Sequence, residues 1–301
     1  MNKGTEILNN QNLEINLDKL LAQRRLYSNA KKVNYFLIGI TVVVPIIISF
    51  LTNFTSIHVD DKNWIYGIYA VLVIFTEKIL EIYIDRCKKT AASIQEDFDT
   101  TIFPLPENEL LNTTFVDYDV IRKYSKKDKL NTKKLDRVRN WYSNEIDIIP
   151  NNVAILFCQR MNICYDQHIK RKYNFLLITL STLTFITLLF LALSNGFSLI
   201  EFMLEVILPS MPIFIFTFKE FSTSLESVDN LQKLREIIEE KLDSTSLNDS
   251  INVEELRKIQ DRIYQNRILS PLIPDFIYRW LWSGLEDQMN YSVKNKIEEI
   301  I

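Results

Sequence analysis

Val33 to Phe54 reads VNYFLIGITVVVPIIISFLTNF, and Tyr173 to Leu193 reads YNFLLITLSTLTFITLLFLAL. Neither run holds a single Asp, Glu, Lys or Arg. The hydrocarbon layer of a bilayer is about 30 Å thick, and a helix rising about 1.5 Å per residue needs roughly 20 apolar residues to cross it. Both runs meet that length, so each is expected to span a membrane. Two further runs, Trp64 to Ile84 and Phe197 to Phe218, reach it only if the carboxylates near one end of each are admitted. Each of these follows a clean run after a short connection, and an odd number of crossings would leave charged connectors on the wrong side. The reading is an all-α membrane protein with four transmembrane helices arranged as two hairpins.

Working outward, the chain divides into an N-terminal segment (1–32), spans at 33–54 and 64–84, a central loop (85–172), spans at 173–193 and 197–218, and a C-terminal region (219–301). Basic residues gather at the cytoplasmic ends of inserted helices. Lys19, Arg24, Arg25, Lys31 and Lys32 precede the first span, Arg86, Lys88 and Lys89 follow the second, Lys170, Arg171 and Lys172 precede the third, and Lys219 follows the fourth. The two outer connections hold only Lys62. Both termini are therefore expected in the cytoplasm, in a multi-pass protein of the cell inner membrane. The polar first thirty residues lack the apolar core and cleavage site of a removable signal peptide, so the first span is expected to direct insertion.

The central loop and the C-terminal region are each near the lower size limit of an independent domain, and they are expected to pack together. Ile82, Ile94 and Phe98 extend the second span as a helical stalk that ends before Pro104 and Pro106. Phe221, Leu225, Val228, Leu231, Leu234, Ile238 and Leu242 recur at steps of three and four and extend the fourth span likewise. Leu256, Ile259 and Ile263 mark another amphipathic helix, and Pro271 and Pro274 separate it from a last one starting near Asp275. On that last helix Phe276, Trp280 and Leu281 read as packed core or, less commonly for this residue mix, as a membrane-interface face.

Enzyme chemistry finds little material. The five glycines are too scattered for a phosphate-cradling loop, and His58 and His168 have no metal-ligand partner at a fitting spacing. Cys87, Cys158 and Cys164 are odd in number, fall in segments placed in the reducing cytoplasm and read as free thiols. No catalytic residue, metal or resident cofactor is expected.

The informative polar residues lie at membrane depth, where an ionisable group is costly unless it meets water or a partner. Glu77, Glu81 and Asp85 form an acidic stripe at the cytoplasmic end of the second span, and Glu201 and Glu205 share a face at the outer end of the fourth. They read either as ordinary helix faces just outside the bilayer or, in an oligomer, as carboxylate rings at both mouths of a cation path. Pro209 and Pro212 read as a hinge in the fourth span or as the structural prolines common in membrane helices, and Pro45 is open to the same two readings. The first and third spans, lacking charge, read as plain lipid-facing anchors. Arg122 to Arg139 holds nine basic residues against Asp128 and Asp136, and reads as a solvated face or as a patch for anionic lipid or a nucleotide phosphate.

Three blocks add a family signal. Ala22-Gln23-Arg24-Arg25-Leu26-Tyr27-Ser28-Asn29-Ala30-Lys31 stands before the first span. Cys158-Gln159-Arg160-Met161-Asn162, Asp166 and Arg171 to Tyr173 stand before the third. Asn266-Arg267, Pro271-Leu272-Ile273-Pro274-Asp275, Tyr278 and Met289 follow near the end. In this order around four spans, they resemble the four-transmembrane effector family associated with SMODS nucleotidyltransferases in bacterial anti-phage systems. Tyr165 departs from the tryptophan expected in the second block. The resemblance implies an effector switched on by a cyclic di- or oligonucleotide from a partner nucleotidyltransferase, which then damages the inner membrane and halts or kills the infected cell.

The resemblance does not supply ligand contacts, but phosphates call for guanidinium or ammonium groups and bases for aromatic faces. Arg24, Tyr27, Arg160 and Tyr165 fit those roles, while Arg24 and Arg160 fit equally as anchors of helix ends. A homo-oligomer in the lipid bilayer is expected, without direct DNA or RNA binding. Two other functions use the same features: a constitutive cation channel or transporter, and a membrane scaffold that recruits a soluble partner.

Overall fold

A computed structural model describes residues 3–48, 63–108, 116–244 and 251–300, with the side chains of residues 63–66, 205, 209 and 283 set aside. The end of the first apolar run, the connection carrying His58 and Lys62, and the side chains of Trp64, Glu205 and Pro209 thus lie outside the described residues. In chain order come α1 (Thr5–Gln11), α2 (Glu14–Ile38), α3 (Asn63–Ile102), α4 (Tyr118–Lys129), α5 (Thr132–Asp136), α6 (Asn151–Ser194), α7 (Leu208–Ser244), α8 (Val253–Leu269) and α9 (Asp275–Ile300). Among the described residues the only β pairing is an isolated bridge between Lys3 and Pro150.

The 40 residues of α3 and the 44 of α6 make rods of about 60 and 66 Å, twice the thickness of a hydrocarbon layer. The expected stalks are there. The first ends at Ile102, one residue short of the position before Pro104, where helix is disfavoured. The second runs unbroken to Ser244, burying Val228, Leu231, Leu234, Ile238 and Leu242 and leaving Leu225 exposed. Pro271 and Pro274 separate α8 from α9, which starts at Asp275.

Two stretches, Glu14–Ile48 and Asn151–Ser194, are long and apolar enough to cross a membrane, and only 17% and 11% of their most apolar windows is buried. A core helix of a water-soluble fold hides such a surface; these helices display it. The apolar parts of α3 and of the fourth segment continue the display, with Ile68, Leu72, Phe75 and Ile79 exposed on one and Leu199, Met203, Leu208 and Ile215 on the other.

The first segment is more enclosed than a plain lipid-facing anchor should be. Leu37 and Val42 are buried, because α3 packs along α2 and α7 packs against Gly39–Val43. Most of the described second segment, by contrast, is exposed.

Gly39–Val43 and Phe202–Ile207 are π-helical turns. Each ends two residues before a proline, Pro45 and Pro209. Proline offers no N–H to the carbonyl four residues earlier, here Thr41 and Glu205, and both of those lie inside the π turn. The wider turn is the backbone's adjustment to that missing donor. Carbonyls near the first turn find side-chain donors instead: the Tyr69 hydroxyl donates to Ile40 O at 2.5 Å and Thr41 Oγ1 to Leu37 O at 2.8 Å. Near the second, Ser210 Oγ donates to Ile207 O at 2.9 Å.

At the other end of the rods one apolar core draws on every part of the chain. Ile7 and Leu20, Phe98 and Phe103, Ile146 and Phe157, Leu234 and Ile238, and Leu256, Ile263 and Ile297 share it, so central loop and C-terminal region do pack together. Gly4 closes one corner, where an added Cβ would stand 2.0 Å from Ile146 O. Cys87, Cys158 and Cys164 are free and buried, and burial pushes all three thiols up from their ordinary range.

On α9 the expected core positions divide. Ile277 and Leu281 face Tyr173 and Leu177 in an apolar cluster, whereas Phe276 is 52% and Trp280 72% exposed. Residues four apart share a helix face, so once 277 and 281 take the inward side, 276 and 280 are turned out. The core reading of Phe276 and Trp280 is therefore corrected, and that of Leu281 is kept.

Candidate ligand-binding site

The polar blocks of the sequence converge where α2, α6, α8 and α9 meet, and they sort into a sealed network and an open cleft. The network comes first. Arg267 pairs with Asp99 at 2.7 Å, Arg257 pairs with Glu96 and Asp261, and Gln260 Nε2 donates to Glu96 at 2.8 Å and to Asp99 at 3.1 Å. The Tyr142 hydroxyl donates to Asp99 at 2.8 Å and accepts from Asn162 Nδ2 at 2.8 Å, and Gln159 Nε2 donates to Leu256 O. Burial pushes the Glu96 carboxyl up against the pull of Arg267 and Arg257; for Arg267, burial is outweighed by Asp99 and Glu96, which hold its guanidinium above the ordinary range.

A second buried knot centres on Lys170, whose Nζ donates to Asp166, Ser227 and Ser270 at 2.5 to 2.7 Å. Burial lowers the Lys170 ammonium below its usual range, with Asp166 opposing. Gln159, Asn162, Asp166, Asn266 and Arg267, all block residues, thus tie helices together. Gln159 Oε1 is left without a hydrogen-bond partner among the described residues.

The cleft is different. Arg24, Tyr27 and Lys31 lie at steps of three and four on one face of α2, and Tyr278 and Trp282 lie four apart on α9. Arg24 Nη1 donates to Arg137 O at 3.2 Å, just past the end of α5, and the Arg137 guanidinium lies 5.6 Å from the Trp282 ring centre. Lys31 Nζ pairs with Asp275 and sits 4.5 Å from the Tyr278 ring centre. Tyr165 comes in from α6, within electrostatic reach of Arg24 and Tyr278, and Tyr27 is likewise within reach of Tyr278.

Among the described residues neither Arg24 nor Arg137 has an ion-pair partner. Arg24 is exposed to solvent yet hemmed in by protein, the combination expected of a cleft wall. That enclosure, followed by the charge of Arg137, lowers its guanidinium below the ordinary range. Tyr27, Tyr165 and Tyr278 are half-buried, and burial pushes their hydroxyls up. Arg24 and Arg137 repel, Asp275 and Asp128 offset part of that repulsion without forming an ion pair with Arg24, and an anion bound beside the two guanidiniums would relieve the rest. Glu286, also near Tyr165, works in the opposite direction.

Of the four ligand residues expected from sequence, Arg24, Tyr27 and Tyr165 are brought together. Arg160 is not with them: it is 5% exposed, its Nε donates to Glu239 at 2.8 Å and its Nη2 to Ser292 Oγ at 3.2 Å, pinning α6 to α7 and α9. Sequence reasoning missed Arg137 and Trp282 as cleft residues, although Arg137 belongs to the basic stretch it flagged. That stretch divides. Lys129 pairs with Glu14 and Asp18, Lys134 with Asp128, and Arg122 approaches Asp18 at 3.9 Å, while Lys126, Lys127, Lys133 and Arg139 are exposed on the surface.

The carboxylates expected from sequence at membrane depth are placed as follows. Glu81 pairs with Lys78 at 2.8 Å and with Lys219 at 3.4 Å, joining the bases of the second and fourth segments, and Glu77 is half-exposed one turn away. Glu201 completes a capping box with Ser198, accepting from Ser198 N at 2.7 Å. Pro212 lies inside α7, a few residues beyond the Phe202–Ile207 π turn.

Comparison with known proteins points to one family. A relative from Bacillus cereus (strain VD146), described as a probable CBASS effector molecule, is 31% identical over 293 residues, covering 94% of this chain and 95% of its own. No solved structure matches. The family model for the SMODS-associating 4TM effector domain matches residues 5–296, nearly the whole chain, and the chain belongs to that family.

Proposed function

We propose that this chain is a membrane effector of bacterial anti-phage defence, activated by a cyclic di- or oligonucleotide and acting by permeabilising the inner membrane. It crosses the bilayer four times, at 33–54, 64–84, 173–193 and 197–218, with both termini and the globular end in the cytoplasm. The single observation that carries the ligand assignment is the cleft at Arg24 and Arg137. It offers two unpaired guanidiniums and the rings of Tyr27, Tyr165, Tyr278 and Trp282, the chemistry that phosphates and bases require. The family and the relative's description point to the same defence role and to a SMODS nucleotidyltransferase as the ligand's source.

In this reading the ligand bridges Arg24 on α2 and Arg137 beside α9. α2 enters the membrane without interruption as far as Gly39, where the π turn begins. Displacement at the cleft is thus delivered to the joint ahead of Pro45, and α7, packed against that joint, is directly preceded by the second interruption at Phe202–Ile207. Several copies assemble through the exposed apolar faces, and Glu77 and Glu81 at one end with Glu201 and Glu205 at the other flank the opening. The test is dye and ion release from liposomes holding the purified protein. Vesicles stay sealed until the correct cyclic nucleotide is added, and Arg24→Ala with Arg137→Ala abolishes the response. Release without any nucleotide would instead favour a constitutive channel.

A further inference from the structure

The start of α9 builds a second cationic groove, which adjoins the cleft and shares Lys31 and Asp275 with it. A cavity of about 370 Å³ is lined by Ser28, Lys31, Lys32 and Tyr35 of α2 and by Asp275, Phe276 and Arg279 of α9. None of Arg24, Tyr27, Arg137 or Trp282 borders it. Three cations face one carboxylate, and that carboxylate is already held by Lys31. Lys32 and Arg279 are exposed and, among the described residues, have no ion-pair partner.

Its depth in the molecule follows from the sequence. Lys32 immediately precedes the first apolar segment, and Ile273 and Ile277, flanking Asp275, share an apolar cluster with Tyr173 and Leu177 at the start of the third. On the outer side of α9, Phe276 and Trp280 stay exposed with Arg279 between them. Aromatic rings and cations side by side at the end of an apolar segment are the composition of a membrane interface. A lysine before a span is an ordinary topological signal. Arg279 and Phe276 are not explained by it, because the fold brings them here from a helix more than 200 residues away in sequence.

We infer that this groove binds the head group of an anionic phospholipid of the inner leaflet. Lys32 and Arg279 hold the glycerophosphate, Ser28 donates to it, and Phe276 and Trp280 sit against the upper acyl carbons. The inference rests on the spanning reading of the first and third segments. It gives α9, a wall of the nucleotide cleft, a second attachment at the membrane surface. Ligand-driven movement of α9 is thereby made sensitive to lipid composition.

The test uses the full chain in vesicles of phosphatidylcholine with a minor fraction of phosphatidylglycerol, extracted into mild detergent and weighed by native mass spectrometry. The wild type is expected to retain phosphatidylglycerol in excess of its bulk share. Each cation removed near a membrane surface weakens attraction about five-fold, so Lys32→Gln with Arg279→Gln loses the enrichment, while Lys32→Arg keeps it. Retention unchanged in the double variant, or equal release of the lipid by excess soluble glycerol 3-phosphate, overturns the inference alone. Protein that alkaline carbonate strips from the vesicles overturns the spanning reading, and this inference with it.

Discussion

The first and fourth apolar segments are interrupted by π turns; the second and third run on as unbroken parts of α3 and α6. Charge had drawn attention to a different pair, since the second and fourth carry the carboxylates. The difference teaches that where a membrane helix is charged and where it can bend are separate properties. Glu81 and Glu201 have local partners, in Lys78 and Lys219 and in Ser198, that account for their placement. The prolines leave carbonyls without backbone donors, and the helix answers by widening. The two interrupted segments also touch, through α7 and Gly39–Val43, and α2, α3, α6 and α7 all tie into the globular core.

The strongest way to break this contrast is to remove the interruptions. Pro45→Leu combined with Pro209→Leu restores helix donors, and nucleotide-triggered liposome leakage is expected to fall to the unliganded baseline while nucleotide affinity is unchanged. Loss of binding as well would mean that the joints are structural. On the rigid side, Arg267→Ala strands Asp99 in the core and is expected to cost about 3–5 kcal/mol, measured as a lowered melting temperature in detergent.

Trp282→Ala is next in size. It removes a stacking face from the cleft and should weaken nucleotide binding by about 1–3 kcal/mol in calorimetry, without altering the melting temperature as Arg267→Ala does. Tyr69→Phe sharpens the comparison at the first joint, because it deletes the hydrogen bond to Ile40 O. Such bonds average about 0.6 kcal/mol in membrane helices, so a small destabilisation and a lower nucleotide threshold for leakage are expected. Smallest of all, Glu201→Gln with Glu205→Gln should leave stability and leakage in place and reduce only the preference for potassium over chloride in a planar-bilayer recording.

Much of the fold was legible because its signals are local. Apolar length marked the segments, and the three-to-four spacing from Val228 to Leu242 and the prolines at 104, 271 and 274 marked stalks and helix ends. What stayed hidden depends on contacts between distant residues. Arg160 and Arg24 each look like an arginine ahead of a membrane helix, and only the approach of Glu239 and Ser292 to one, and of Arg137 to the other, separates an internal tie from a cleft wall. Phe276 and Trp280 stayed open between core and interface for a similar reason: composition tells that a helix has an apolar face, and packing decides which of two apolar faces turns inward. The prolines marked carbonyls that lack a backbone donor, but no residue pattern announces a π turn.

The length of α6 has a mechanical side. It passes from the buried knot at Lys170 to Ser194 without a joint, and over its roughly 66 Å a rotation of one degree at one end sweeps the other by about 1 Å. A ligand that shifts the globular end by no more than a bond length therefore has a lever at its disposal, with the exposed Phe190 and Leu193 near the long end of it.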